Sequence, residues 1–246
     1  MLALLALLAA IDAGAPPVAV VTPAALRDAK LVLADYAKAI GDEKAWRRHK
    51  TMRVKREVQI KSMNFKSQEE TRLARGGRLL SISSMPGLGT FRRGHDGRVA
   101  WADDRIYGLR VLKGGEADEV RIAANWNLEW RLAEVYAPVR AVAPPPDAPS
   151  DNRLECVELS KPHSQPSIAC FDSHTHLRVW EKGVQASEGG PVPYVTRFSD
   201  WRIIDGVRVW QHESVTVGPL TMEGRIVDIV FDEPISPGVF ALPKKQ

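Results

Sequence analysis

Polar and apolar residues alternate most clearly over residues 52–61. There Met52, Val54, Val58 and Ile60 interleave with Arg53, Lys55, Glu57, Gln59 and Lys61, and only Arg56 interrupts the apolar face. A period of two with one polar side predicts a half-buried antiparallel strand. Ser62-Met63-Asn64 turns the chain into a second strand, Phe65–Ala74. Its inner face is thin, because Ser67, Glu69 and Thr71 sit between Phe65 and Leu73. Residues 79–104 then read as three short strands in a meander. Met85-Pro86-Gly87-Leu88 supplies one turn, with proline presetting φ and glycine accepting a positive φ. Gly94-His95-Asp96-Gly97 is expected to supply the other, after which Val99 and Trp101 share a strand face.

Helical spacing appears twice. Leu26, Ala29, Leu33, Ala37 and Ile40 form a stripe, with Thr22 as N-cap, Pro23 in the first turn and Gly41 as the stop. A short helix anchored by Trp46 is expected over 42–50. Over 116–136, Val120, Ala124, Leu128, Leu132 and Val135 repeat at helical intervals, widened by Ala123, Trp126, Trp130 and Ala133. So broad a stripe belongs against a sheet or a cavity. Residues 143–150, with four prolines, read as a stiff exposed linker. They form the one candidate domain boundary, yet strands are expected on both sides. The remainder is strand-rich: two runs around the cysteines, then 177–182, 194–204, 207–217 after an Asp205-Gly206 turn, and 225–231. The pattern predicts a mainly β protein with about eleven strands and two main helices.

Composition narrows the class. The 246 residues are 44% hydrophobic and 26% charged, as in an ordinary globular protein. A formal charge of +4 is spread over scattered pairs such as Arg47-Arg48 and Arg92-Arg93, with no nucleic-acid-binding signature. Residues 2–11 are an uncharged run of Leu, Ala and Ile, too short to span a bilayer. Ala13-Gly14-Ala15 follows, as in a secretory signal, so residues 1–15 are expected to direct export and 16–23 to be a leader. No basic start precedes the run, which leaves an upstream start or an atypical signal. Cys156 and Cys170 would lie opposite each other in a hairpin centred near His163. An oxidising compartment would allow a disulfide there, and two buried free thiols are the alternative.

Candidate chemistry is sparse. Asp172-Ser173-His174-Thr175-His176 brings two imidazoles close in sequence, but these residue types favour turns, and a zinc site needs a third ligand. There is no nucleotide loop, nucleophile elbow or zinc-protease motif. No catalytic residue, metal ligand or cofactor is expected.

Several stretches resemble the periplasmic outer-membrane lipoprotein carriers (the LolA/LolB-like superfamily), in particular uncharacterised bacterial members. They are ADYAKAIGDEKAW (34–46), GLGTFRRGHDGRVAW (87–101), YGLRVLKGGEADEV (107–120), RLECVELS and ACFDSHTHL, SDWRIIDGVRVW (199–210) and VFALP (239–243). The resemblance covers nearly all of the chain after the leader. It implies one domain over 24–246, a curled antiparallel half-barrel with helices over its concave face, and an apolar cavity for acyl chains. Val54, Val58, Ile60, Val99, Trp101, Ala123, Trp126 and Trp130 are then the candidate lining. The implied function is a non-enzymatic periplasmic or secreted binding protein for lipid or lipoprotein acyl chains, with peripheral membrane contact and cell-envelope proteins as further partners. An envelope scaffold with a filled core, and less favourably a metal-dependent enzyme, are the alternatives.

Overall fold

The computed structural model describes residues 26–150, 153–163, 165–187 and 189–244. The expected signal segment 1–15, the leader 16–23 and the Thr22-Pro23 helix start lie outside the described residues. Helix α1 (Ala29–Ala39) starts on Asp28, whose carboxylate accepts from the N–H groups of Lys30 and Leu31. A side-chain oxygen here satisfies amides that have no partner inside the helix. Ala29, Val32, Leu33 and Tyr36 are buried, but Leu26 is exposed, so the stripe begins later than its spacing suggested. Helix α2 (Glu43–Arg48), capped by Asp42, buries Trp46 as expected.

The strands form two meanders. The first comprises β1 (Thr51–Ile60), β2 (Phe65–Ala74), β3 (Arg78–Met85), β4 (Gly89–Asp96), β5 (Ala100–Asp103) and β6 (Arg110–Val111). The second comprises β7 (Val139–Val142), β8 (Leu154–Leu159), β9 (Ser167–Asp172), β10 (Arg178–Gln185), β11 (Val192–Ile204), β12 (Val207–Val217) and β13 (Leu220–Phe231). They join into one 13-stranded antiparallel sheet because β1 pairs with β13, leaving β6 and β7 as the two edges. The sheet is a curled, open half-barrel. The chain between β6 and β7 must therefore cross from one edge to the other, and it carries helices α3 (Gly114–Ala123) and α4 (Leu132–Val135) over the inner face. The two strands beyond the expected eleven are these edges, of two and four residues, too short to show a period.

Adjacent strand residues point to opposite faces. Inside, Leu79, Ala100 and Ala102 pack under Val120 and Ala124, while Val157, Leu159, Ala169 and Phe171 pack under Val32, Leu33 and Tyr36. Outside, Leu80 and Trp101 pack against Phe240, and Cys156 and Cys170 against Trp180. Ala148 also packs on the outer cysteine cluster and Asp147 pairs with Lys182 at 2.8 Å. The proline-rich stretch is largely exposed, as expected, but Ala148 and Asp147 tie it to the sheet as a strap.

Two local expectations are corrected. Gly94 is not a turn residue: it lies in β4 opposite Trp101, and a Cβ there would fall 2.3 Å from the indole ring. The turn is made by residues 96–99, where the Asp96 carboxylate accepts from the N–H groups of Arg98 and Val99. The single helix expected over 116–136 breaks after Ala123. Asn125 Nδ2 donates to the carbonyls of Arg121 and Ile122, closing the helix end, and Asn127 takes φ +62° before a 3-10 turn over Leu128–Arg131.

Cys156 and Cys170 are opposed on β8 and β9, with Cα atoms 4.1 Å apart, and are disulfide-bonded, as the hairpin reading allowed. The bridge closes a loop with a sequence separation of 14. Closure of a loop of this length removes about 3 kcal/mol of unfolded-state entropy. Cys156→Ala/Cys170→Ala protein should lose stability of about that size in urea unfolding. An unchanged midpoint would show that the bridge contributes nothing.

Candidate functional site

A cavity lies between the inner face and the crossing segment. It has two lobes, of about 440 and 220 Å³, that share Thr71, Leu73, Ala123 and Leu128. Known ligand pockets span roughly 300–1,000 Å³. The smaller lobe is mainly apolar, with Met52, Val54, Trp126, Val209, Trp210 and Ile226. The larger has an apolar wall of Leu79, Val120 and Ile122, facing a polar one of Arg93, Glu119, Tyr136, Lys161, Glu181 and Tyr194. The thin apolar face of β2 helps to explain the space. Thr71 pairs with Ser81 of β3, so short side chains occupy the floor. Above them, the kink at 125–127 brings Trp126 to the lobe in place of a continuous helix.

Strand irregularities re-aim several lining residues. β10 is bulged between Arg178 and Trp180, so Arg178 and Glu181 reach the same side and pair at 2.9 Å. Bulges act in this way because an extra residue shifts the side-chain phase. β13 carries another opposite Lys55/Arg56, and Ile226 and Ile229 both join the inner core. In β11, Asp200 takes φ +53°, and Phe198 and Trp201 both meet Trp210, with ring centroids 5.2 and 5.6 Å away.

Two arginines anchor charge networks, one buried and one half-buried. The Arg178 side chain is 7% exposed and pairs with Glu129 of the crossing segment at 2.9 Å, as well as with Glu181. Its guanidinium lies 4.2 Å over the Phe198 ring. Tyr36 donates to Glu129 at 2.5 Å and Tyr194 to Glu181 at 2.6 Å. Burial opposes the charge on Arg178, but the carboxylates of Glu129 and Glu181 outweigh it and hold the group protonated. Burial first, then Glu129, pushes the Tyr36 hydroxyl far above its ordinary range, so it remains a donor. Arg56, the break in the apolar face of β1, is bonded to Glu69 and Glu213. Glu213 reaches across β13 at Gly224, where a Cβ would come within 3.0 Å of it. Arg56 and Glu69, on β1 and β2, lie near the centre of the sheet.

The expected lining residues separate. Val54, Ala123 and Trp126 line the smaller lobe, and Ala123 also the larger. Trp130 instead packs on the α1 cluster. Val58 borders a separate hollow, and Ile60 lies half-buried at the end of β1, outside both lobes. Val99 lies outside both lobes, just ahead of β5. Trp101 is on the outer face, where its Nε1 donates to the Phe240 carbonyl at 3.1 Å. Val99 precedes the strand, so it shares no strand face with Trp101, and alternation does not fix which face is covered: the crossing segment packs on Ala100 and Ala102. Leu73, Trp210, Tyr194 and Arg178 were missed, and for Arg178 no sequence signal announces the bulge. His174 belongs to a turn in which Asp172 accepts from the His174 and Thr175 N–H groups. Among the described residues no group of three or more His, Cys, Asp or Glu side chains is arranged to hold a metal, and no helix is long and apolar enough to cross a membrane.

No known sequence family and no curated protein matches the chain. Its fold does match solved structures. A LolA superfamily protein from Nitrosomonas europaea is 10% identical, with a TM-score of 0.55, covering 87% of this chain and 98% of its own. A DUF1329 family protein from Desulfovibrio piger is 9% identical, with a TM-score of 0.55 and coverage of 86% and 96%. A domain from Vibrio parahaemolyticus, provisionally named for outer-membrane lipoprotein sorting, is 9% identical, with a TM-score of 0.53 and coverage of 85% and 95%. The chain has the LolA-type fold, and the expected half-barrel architecture holds.

Replacing Arg178 by Met would leave Glu129 and Glu181 buried without their cation. Breaking such a pair typically costs about 3–5 kcal/mol. Arg178→Met should lose that much in denaturant unfolding, and Arg178→Met combined with Glu129→Gln and Glu181→Gln should recover most of it. Equal stability of Arg178→Met and the parent would remove the network as a fold determinant.

Proposed function

We propose that this protein is a non-enzymatic binding or carrier protein of the cell envelope, taking a lipid or the acyl chains of a lipoprotein. The observation that carries the reading is the two-lobed cavity, with its apolar end formed by Val54, Trp126, Trp210 and Ile226. Each methylene moved from water into such a lining gains about 0.8 kcal/mol. An envelope scaffold with a filled core would not need this space. The LolA-type fold of proteins 9–10% identical supports a lipid-carrier reading. Export to the periplasm or beyond is supported by the apolar run at 2–11 and by a disulfide that an oxidising compartment would preserve.

Trp126 is half-buried in the kink, where a charge would meet the apolar lobe. Trp126→Glu should weaken binding of a fluorescent fatty acid by at least about tenfold, while Trp126→Phe should bind nearly as the parent does. Equal binding by all three proteins would exclude this lobe as the chain site. Absence of binding by the parent would exclude the function.

A further inference from the structure

We propose that the larger lobe receives the anionic head group of a lipid, a phosphate or carboxylate, between Arg93 and Lys161, while the chain lies beside Trp126 in the smaller lobe. The proposal rests on the acyl-chain reading and adds the chemical class of the ligand.

Three observations point to it. First, Arg93 and Lys161 line the cavity with no carboxylate at ion-pair distance among the described residues, unlike Arg56 and Arg178, which each hold two. Lys161 has Tyr194 as its neighbour, with Nζ 3.4 Å from the hydroxyl and 5.5 Å from the ring centroid. Arg93 shares its strand face with Ser81 and Ala102, and so points toward the crossing segment.

Second, the acids of this lobe are already engaged. Glu181 holds Arg178 and Tyr194, and a Glu119 oxygen accepts from the Ala186 N–H at 2.8 Å. Burial pushes the Glu119 carboxyl up, against the backbone hydrogen bond and the nearby charges of Lys161 and Arg93. Both cations thus act on one carboxylate from opposite meanders, Arg93 on β4 and Lys161 in the chain between β8 and β9. Both cations are half-buried and hold no carboxylate at ion-pair distance, so an entering anion can take charge-assisted hydrogen bonds from each.

Third, the lobes adjoin and share Thr71, Leu73, Ala123 and Leu128 in their linings, which places the polar groups of one beside the apolar groups of the other. A bilayer solvates the chain about as well as the cavity does. Chain burial therefore favours binding from water but gives little preference over a membrane, and contacts to the head group decide which lipid is taken.

The experiment measures binding of phosphatidylglycerol and phosphatidylcholine with identical acyl chains to the delipidated full chain, by displacement of a fluorescent fatty acid. The parent should prefer phosphatidylglycerol by about tenfold or more. Arg93→Gln/Lys161→Gln should lose that preference, weakening phosphatidylglycerol more than phosphatidylcholine, and Arg93→Lys/Lys161→Arg should keep it. Equal binding of the two lipids by the parent, or preference retained in the Gln pair, overturns the head-group assignment alone. If neither lipid binds, the acyl-chain reading itself falls. Inorganic phosphate alone should bind weakly; binding as tight as that of the lipid would make this a free-anion site and overturn the proposal.

Discussion

The pairing of the first strand with the last governs this molecule. Because β1 and β13 meet in the middle, the two meanders run outward and end at β6 and β7, the edges of one sheet. The chain between those edges has no short route. It crosses the inner face, and its apolar residues are buried there. Cover, curl and cavity follow from that one connection. The outer face is closed by shorter means, with the C-terminal residues around Phe240 over one half and the proline-rich strap over the other.

Charge inside the curl is arranged to hold the cover while leaving space. Arg178 links Glu129 of the crossing segment to Glu181 of the sheet, and the hydroxyls of Tyr36 and Tyr194 complete both carboxylates. A buried ion pair of this kind adds little net stability over an apolar replacement, but one partner alone is heavily penalised. Its value is geometric: it fixes where the cover sits over the sheet. Apolar packing alone, which is non-directional, would not choose that position.

The cavity is a consequence of what the sheet lacks. Thr71 and Ser81 are too short to fill the space beneath Ala123 and Leu128, and the helix break keeps the cover from settling as one straight rod. Protein interiors otherwise pack to crystal-like density. This void is apolar at one end and lined by charged and hydroxyl groups at the other.

The local pattern was legible where backbone chemistry is local. The spans of β1, β2, β8, β9 and β12, the short helix around Trp46 and the Cys156–Cys170 pairing all follow from period-two alternation, turn residues and opposed positions. Edge strands of two and four residues carry too few positions to show a period. The candidate site was legible only in part. Val54, Ala123 and Trp126 reach the cavity, but Trp101 does not, because alternation assigns residues to two faces and is silent about which face another segment will cover. The bulges that turn Arg178 and Ile226 inward depend on cross-strand register, a relation between distant residues. The sequence by itself determined the elements and their two-sided character. Tertiary structure decided the inside, because only the route of the chain from β6 to β7 buries one face of the sheet under the helices.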